Sequence, residues 1–252
     1  MTSRLERRLT PPAPWRQAER RLPPPYWEPS KAKTAFAEDG FRLIALSRSH
    51  DARVWQTLQS MLQTDGSQLG VGRDVRQHAR YDNLRLACAW RLEHPAMWER
   101  YYGGMQQVVR DVQLLRRQGV RPPRSAPVRT EAAARGLPGS LNAEANEAML
   151  LHGTRPEVLL NIISTGMNER FSGGIFGHGT YLAEDAGKND QYVTCDDRFD
   201  SDEATPLGAL HKRLYHHRSA QHPGRVFYIL VCRVCAAARP HPRCPRRIGS
   251  RL

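Results

Sequence analysis

The chain has 252 residues, a formal net charge of +13 and 40% hydrophobic residues. These values are typical of one globular domain with tails, and no apolar run approaches the roughly 18 residues that a membrane-spanning helix needs. Only four of its 38 basic residues are Lys, and the Arg residues are spread along the whole chain. The Arg residues form no single stripe of alternating basic and aromatic residues, so the sequence gives only weak support to a nucleic-acid-binding protein.

The two ends of the chain differ in composition from its middle. Residues 1–35 are rich in Pro and Arg and lack the apolar stretch of a secretory signal. We predict that they are disordered, because such a segment cannot pack a core. A globular domain is predicted over residues 41–235, followed by a second Arg- and Pro-rich tail over 236–252. We expect an intracellular protein, nuclear or cytoplasmic.

The first half of the domain shows alternating strand and helix patterns. Apolar residues at helical spacing indicate helices, and strict alternation indicates half-buried strands. Successive segments are therefore predicted as a strand at 41–45, a helix at 54–62, a strand at 84–92, a helix at 97–112, a loop at 118–140 and a short helix at 141–148.

The segment from 149 to 192 carries most of the chemical information. An apolar strand ends in His152-Gly153-Thr154, and a helix is predicted from Pro156 to a glycine cap at Gly166. A Gly-rich segment follows at 168–174, then a block at 176–183 that reads FGHGTYLA, and then a polar helix that ends near residue 192. A further strand is predicted at 226–234.

In order and spacing, these blocks resemble the NAD-binding signature of the poly(ADP-ribose) polymerase family. The strand-to-helix junction at 90–101 is also similar to that family, and residues 168–174 most resemble its tankyrase-like branch. The resemblance implies an α+β ADP-ribosyltransferase fold with two packed, mostly antiparallel sheets and flanking helices. It also implies NAD⁺ as substrate and a protein as ADP-ribose acceptor.

The resemblance assigns the first group of site residues to the end of the apolar strand. His152 would hydrogen-bond the adenosine ribose of NAD⁺, and the backbone of Gly153 would hold the nicotinamide amide. A glycine suits this place because backbone can approach a ligand only where no Cβ intrudes. Thr154 occupies the position where relatives often carry a Ser that contacts the same ribose.

The second group lies in the later blocks. By resemblance, Tyr181 would stack on the nicotinamide ring, Gly179 would leave room for it, and Tyr192 would form the opposite wall. Two aromatic faces bind a flat pyridinium by stacking and cation–π attraction, each contributing roughly 1 kcal/mol. Lys188 matches a lysine near the acceptor side. Asn189 stands where relatives typically carry a Ser that bonds the nicotinamide carbonyl.

One expected residue has no counterpart in the sequence. The family's catalytic set is a His, a Tyr and a late Glu, for which His152 and Tyr181 supply the first two members. No Asp or Glu follows Glu203. We therefore expect a domain without its last strands that performs mono-transfer or is impaired. The alternative hypothesis, from another functional class, is a non-catalytic NAD⁺ or ADP-ribose-binding pseudoenzyme.

The cysteines and histidines predict neither disulfides nor a metal site. Five cysteines at irregular spacing, without a secretory signal, indicate free thiols. Cys232 and Cys235 lie three apart in a predicted strand, so their side chains point to opposite faces and cannot share a metal. Some family members bind zinc in the region that follows. The tight Cys/His spacing of such a site is absent from the available residues, which are Cys195, His211, His216, His217 and His222.

Overall fold

A computed structural model describes residues 23–27, 40–70, 81–120, 127–168, 173–174, 177–215 and 221–235. The predicted tail at 236–252 and most of the predicted tail at 1–35 lie outside these residues. Residues 23–27 form a turn that packs on the domain, where the rings of Trp27 and Trp98 lie 6.2 Å apart. The proposed domain limits remain predictions.

Helices and short strands alternate along the described part of the chain. Its strands are β1 (Arg42–Ala45), β2 (Trp90–Glu93), β3 (Glu147–Gly153), β4 (Gly173–Gly174), β5 (Gly177–His178) and β6 (Ile229–Cys235). Its α-helices are α1 (Ala52–Met61), α2 (Pro95–Arg117), α3 (Glu131–Ala134), α4 (Pro156–Thr165), α5 (Ala186–Asp190) and α6 (Pro206–Tyr215). None of these helices combines the length and the apolar character needed to cross a membrane.

The strands pair in three small antiparallel sheets within the described residues, β1 with β2, β3 with β6, and β4 with β5. In the longest ladder, Glu147 lies opposite Cys235 and Gly153 lies opposite Ile229. Helices and antiparallel sheets in one domain agree with the predicted α+β class. The arrangement as two packed sheets remains a prediction.

The main hydrophobic core joins the β1–β2 sheet to helices α4 and α6. Its buried members are Phe41, Leu159, Ile163, Leu210, Leu214 and Tyr228, with Leu230 of β6 packed against them. Separate clusters lie where α1 and α3 meet Met149 of β3 and where α2 meets Ala145. Helices therefore pack against both strands of the β3–β6 ladder, and this packing fixes the position of β3.

Several predicted elements are confirmed. The strand at 41–45 is β1, the helix at 54–62 overlaps α1 and ends one residue later, the helix at 97–112 lies within α2, and the strand at 226–234 overlaps β6 from residue 229. Helix α4 begins at Pro156 and is capped by Gly166, whose φ is 94°. A φ of this sign favours glycine, because a Cβ would be strained there.

The predicted strand at 84–92 is wrong for its first six residues. Only Trp90–Glu93 pairs in a ladder, as β2. The Gln59 side chain of α1 donates to the carbonyl of Leu84 at 3.0 Å and accepts the N–H of Leu86 at 2.8 Å. A side-chain amide therefore satisfies the backbone where the alternating pattern predicted a neighbouring strand.

The predicted helix at 141–148 is also wrong, because a turn leads directly into β3. The side chain of Asn142 accepts the N–H groups of Glu144 and Ala145, and Asn146 has a φ of 52°. Local bonding by Asn competes with helix formation and favours such turns. The segment predicted as a loop at 118–140 includes the single turn of α3, and α6 has no counterpart among the predicted elements.

A buried carboxylate fixes the start of β3. Glu147 accepts two hydrogen bonds from Arg233 at 2.7 and 2.8 Å, one from Tyr101 at 2.5 Å and one from the N–H of Asn142 at 2.5 Å. Burial acts to raise the pKa of Glu147, but the bonds from Arg233, Tyr101 and Asn142 outweigh it, so the pKa lies below its usual value. This carboxylate therefore ties β3 to β6 and α2.

We predict that Glu147→Gln lowers the free energy of unfolding by about 3 kcal/mol, because Arg233 loses its buried charge partner. Urea denaturation at pH 7 measures this, with Glu144→Gln on the exposed surface as the control. The pKa of Glu147 is lower in the folded protein than its unfolded value of about 4.3. The difference in the free energy of unfolding between wild type and Glu147→Gln is therefore complete above that unfolded pKa. It shrinks as the pH falls through the folded pKa. Equal free energies of unfolding for wild type and Glu147→Gln at pH 7 would contradict the stabilising role of Glu147.

Candidate active site

The end of β3 pairs with a different segment of the chain at each of its two edges. On one side, His152 lies opposite Leu230 of β6. On the other, Leu151 exchanges two backbone hydrogen bonds with Ala183, at 2.8 and 2.9 Å. Residues 149–153 and 181–183, which lie in separate blocks of the sequence, therefore meet side by side. The backbone bridge between Leu151 and Ala183 sets their register.

The imidazole of His152 is held in one tautomer. Its Nδ1 lies 2.8 Å from the carbonyl oxygen of Tyr181, and the ring is half-buried. A carbonyl oxygen only accepts, so Nδ1 carries the proton and, in the neutral ring, Nε2 is an acceptor. His152 is thus prepared to accept a hydrogen bond from a hydroxyl group at Nε2.

Helix α5 packs directly on the end of β3 at Gly153. A Cβ at Gly153 would lie 2.6 Å from the carbonyl oxygen of Asn189 and 2.9 Å from Cγ1 of Val193. Glycine is therefore required here by the approach of α5, which differs from the expected reason, the approach of a ligand. The N–H of Gly153 donates to Oδ1 of Asn189 at 2.7 Å. That backbone donor, predicted to hold a nicotinamide amide, is thus bonded to the protein itself.

Tyr181 is fixed at both its backbone and its phenol. Its carbonyl accepts from His152, and its hydroxyl donates to the carbonyl of Gly177 at 2.6 Å. Gly177 belongs to β5, so this bond ties Tyr181 to the β4–β5 hairpin. At Gly179 a Cβ would meet nothing within 4 Å, so open space adjoins the backbone just before Tyr181. The Gly-rich segment at 168–174 lies mostly outside the described residues.

Tyr192 presents an exposed ring just beyond α5. Its side chain is 48% exposed, and the ammonium of Lys188 lies 5.3 Å from the ring centroid. Lys188 also donates to Gln191 at 2.9 Å. About half of Tyr192 is therefore accessible to a ligand, and the Lys188 ammonium lies over its ring. Thr154 follows Gly153 at a half-buried position before α4.

Two carboxylates that were not predicted as site residues hold α5 in place. Asp185 caps the helix by accepting the N–H of Gly187 at 2.8 Å, and it also accepts from Thr64 at 2.5 Å and pairs with Arg129. Asp190, at the other end, is buried. It accepts the N–H of Gly70 at 2.8 Å and the hydroxyl of Tyr81 at 2.6 Å.

Sequence signals for these two residues differ. An Asp just before a short helix is a recognisable N-cap signal, so Asp185 was predictable. Nothing local marks Asp190, because its partners lie 109 and 120 residues away.

A cleft of about 310 Å³ is lined by residues 62–64 and 82–84, and it includes none of the predicted site residues.

One buried cluster has the composition of a metal site. Asp196, His211 and His222 place ligand atoms within 4.8 Å of one another. Oδ2 of Asp196 lies 2.7 Å from Nε2 of His211 and 3.1 Å from Nε2 of His222, and it accepts from Tyr228 at 2.8 Å. Burial acts to raise the pKa of Asp196, but these hydrogen bonds outweigh it and lower the pKa.

The protonation pattern of this cluster does not fit a metal. His211 Nδ1 accepts the N–H of Asp200 at 2.8 Å, and His222 Nδ1 accepts the N–H of Gly224 at 3.1 Å. Both protons must then be on Nε2, whereas a histidine that ligates through Nε2 carries its proton on Nδ1 and donates it. His211 and Tyr228 hydrogen-bond Asp196 and so join α6 to the chain before β6, whereas Oδ1 of Asp196 and Nε2 of His222 are buried without a hydrogen-bond partner among the described residues.

The other Cys and His residues of this region do not change this conclusion. Burial, and then the hydrogen bond to Asp197, raise the pKa of Cys195 to about 12. Cys195 is not among the residues whose ligand atoms converge in this cluster. His216 and His217 lie outside the described residues. The free cysteines of the described part include Cys232 and Cys235. These lie opposite Leu150 and Glu147 in the ladder.

Comparison with known proteins identifies the family. A search of curated proteins found no match. Residues 76–234, which are more than half of the chain, match the family model of the poly(ADP-ribose) polymerase catalytic domain. The matched range runs from before β2 to the last residue but one of β6. This match covers every predicted site residue and implies the ADP-ribosyltransferase fold. The chain belongs to the poly(ADP-ribose) polymerase catalytic-domain family.

Proposed function

We propose that the protein is an NAD⁺ ADP-ribosyltransferase that transfers ADP-ribose to a protein acceptor and releases nicotinamide. Catalytic domains of its family are ADP-ribosyltransferases that use NAD⁺ as substrate. One observation carries the assignment of the site. The half-buried His152 has its Nδ1 proton fixed on the carbonyl of Tyr181, which leaves Nε2 as an acceptor for a ribose hydroxyl.

Binding would be divided among three elements. His152 at the end of β3, with Thr154 after it, would hold the adenosine ribose, and Gly153 would hold the nicotinamide amide. Tyr181 would cover one face of the nicotinamide ring. Tyr192 would cover the other face, which agrees with its exposed ring.

The reaction breaks the bond between the ribose C1 atom and the pyridinium nitrogen. Nicotinamide leaves with the bonding electron pair and becomes neutral, while positive charge develops on the ribose. An acceptor nucleophile then bonds to C1 and loses its proton. Residues that hold the two ends of NAD⁺ rigidly lower the barrier, because they align the ribose without reorganisation during the reaction.

We further propose mono-transfer rather than polymer formation. Chain elongation in the family depends on a late Glu, and residues 204–252 contain no carboxylate side chain. Lys188 would lie at the acceptor side. The sequence at 168–174 supports assignment to the tankyrase-like branch, and the family together with the basic charge supports a nuclear or cytoplasmic location.

The second candidate is a pseudoenzyme that binds NAD⁺ or ADP-ribose without transfer. A specific contact favours it, since the N–H of Gly153 is bonded to Asn189 and is not free for nicotinamide. Thermal stabilisation by NAD⁺ without nicotinamide release would distinguish it from the transferase. Nucleic-acid binding rests on charge alone and would be recognised by a steep dependence on salt.

We predict that His152→Ala reduces transfer from NAD⁺ about tenfold or more, because one ribose hydrogen bond is lost. Adenylate-labelled NAD⁺ is incubated with the chain and a mixture of acceptor proteins, and label on protein and released nicotinamide are both measured. His50→Ala, at an exposed position, is the control and should match wild type. Labelled free ADP-ribose, which reacts without a catalyst, sets the background.

Transfer at the wild-type level by the His152→Ala variant would contradict the role of His152 in binding NAD⁺. Nicotinamide release without label on protein would indicate hydrolysis of NAD⁺ rather than transfer. Binding of NAD⁺ by a folded wild type with neither product would support the pseudoenzyme.

We predict that Tyr192→Ala raises the KM for NAD⁺ about fivefold, whereas Tyr192→Phe leaves it nearly unchanged. Loss of one stacking face costs roughly 1 kcal/mol, and Phe retains the ring. Steady-state nicotinamide release measures both variants. Because Tyr192 is 48% exposed, neither change should lower the thermal midpoint substantially. An unchanged KM in the Ala variant would remove Tyr192 from the binding site.

A further inference from the structure

The side chain of Asn189 is a buried carboxamide with both of its ends engaged. Asn189 is 4% exposed. Its Oδ1 accepts the N–H of Gly153 at 2.7 Å, and its Nδ2 donates to the backbone carbonyl of Asp185 at 2.9 Å. The amide group therefore bridges the end of β3 and the start of α5.

This side chain has the functional group of the ligand proposed for the same place. Nicotinamide carries a planar carboxamide, with one carbonyl acceptor and one NH₂ donor, and so does Asn. The Gly153 N–H can accommodate one such carbonyl at about 2.7–3.2 Å. A nicotinamide amide and the amide of Asn189 therefore compete for one donor.

Hydrogen bonds hold the backbone of α5 on both sides of Asn189. Asp185 and Asp190 hold the two ends of α5 through contacts with Thr64, Gly70 and Tyr81. Moreover, the carbonyl of Asn189 accepts the N–H of Tyr192 at 2.9 Å. Rotation of the Asn189 side chain is thus the simplest way to free Gly153.

We propose that Asn189 is an internal occupant of the nicotinamide-amide subsite, so that the folded protein selects ADP-ribose over nicotinamide-bearing ligands. This inference rests on the proposed function, because it takes Gly153 as the amide-binding group. NAD⁺ binds with its nicotinamide seated only after the side chain leaves Gly153. That step leaves a buried carboxamide unsatisfied, which reduces affinity about tenfold or more.

The test compares wild type with Asn189→Ser and Asn189→Ala, using the full 252-residue chain. Both substitutions remove the carboxamide but leave Asp185 and Asp190 in place. Asn161→Ser is the matched control, because Asn161 is an exposed Asn in helix α4. Calorimetric titration gives the Kd of nicotinamide, NAD⁺ and ADP-ribose for each chain, and circular dichroism confirms that each is folded.

We expect both Asn189 variants to bind nicotinamide and NAD⁺ at least tenfold more tightly than wild type. Their Kd for ADP-ribose should stay within about twofold, since ADP-ribose carries no carboxamide, and Asn161→Ser should match wild type throughout. Unchanged nicotinamide and NAD⁺ affinity in folded Asn189 variants that still bind ADP-ribose would overturn this inference alone. Absence of both NAD⁺ and ADP-ribose binding from every chain would overturn the proposed function and this inference with it.

Discussion

The site depends on the close approach of α5 to the end of β3. A Cβ at Gly153 would lie 2.6 Å from the carbonyl of Asn189, so no other residue fits without a shift of the helix. Through this approach the helix that precedes Tyr192 is placed beside His152. The same contact gives Asn189 its bond to Gly153, which connects the architecture of the site to the ligand selectivity proposed for it.

Carboxylates at the ends of β3 and α5 support this approach through partners from distant parts of the chain. Asp185 and Asp190 fix α5 from both ends, and Glu147 fixes the other end of β3 against Arg233 and Tyr101. Each accepts several hydrogen bonds, which compensates for the cost of burying a charge. The strand and the helix that carry the candidate site are therefore each held by charged groups that do not belong to the site.

Local signals made much of this arrangement predictable. The apolar run that ends at His152 and the pair Pro156 and Gly166 fixed β3 and α4, because strand periodicity and helix caps are local properties. Segments whose hydrogen bonds come from elsewhere were not predictable. Residues 84–89 bond in part to Gln59, 25 and 27 residues earlier, and the Gly153–Asn189 contact spans 36 residues. No pattern in one sequence encodes such pairs.

We propose that NAD⁺ binds where β3 meets α5. The most direct measurement is titration of the ¹⁵N-labelled protein with ADP-ribose and NAD⁺ while backbone amide resonances are followed. We expect the shifts to concentrate at residues 152–154 and 179–192. We also expect NAD⁺ to perturb the Gly153 amide and the Asn189 side-chain amide. Shifts confined to other regions, such as the cleft at 62–64 and 82–84, would contradict it.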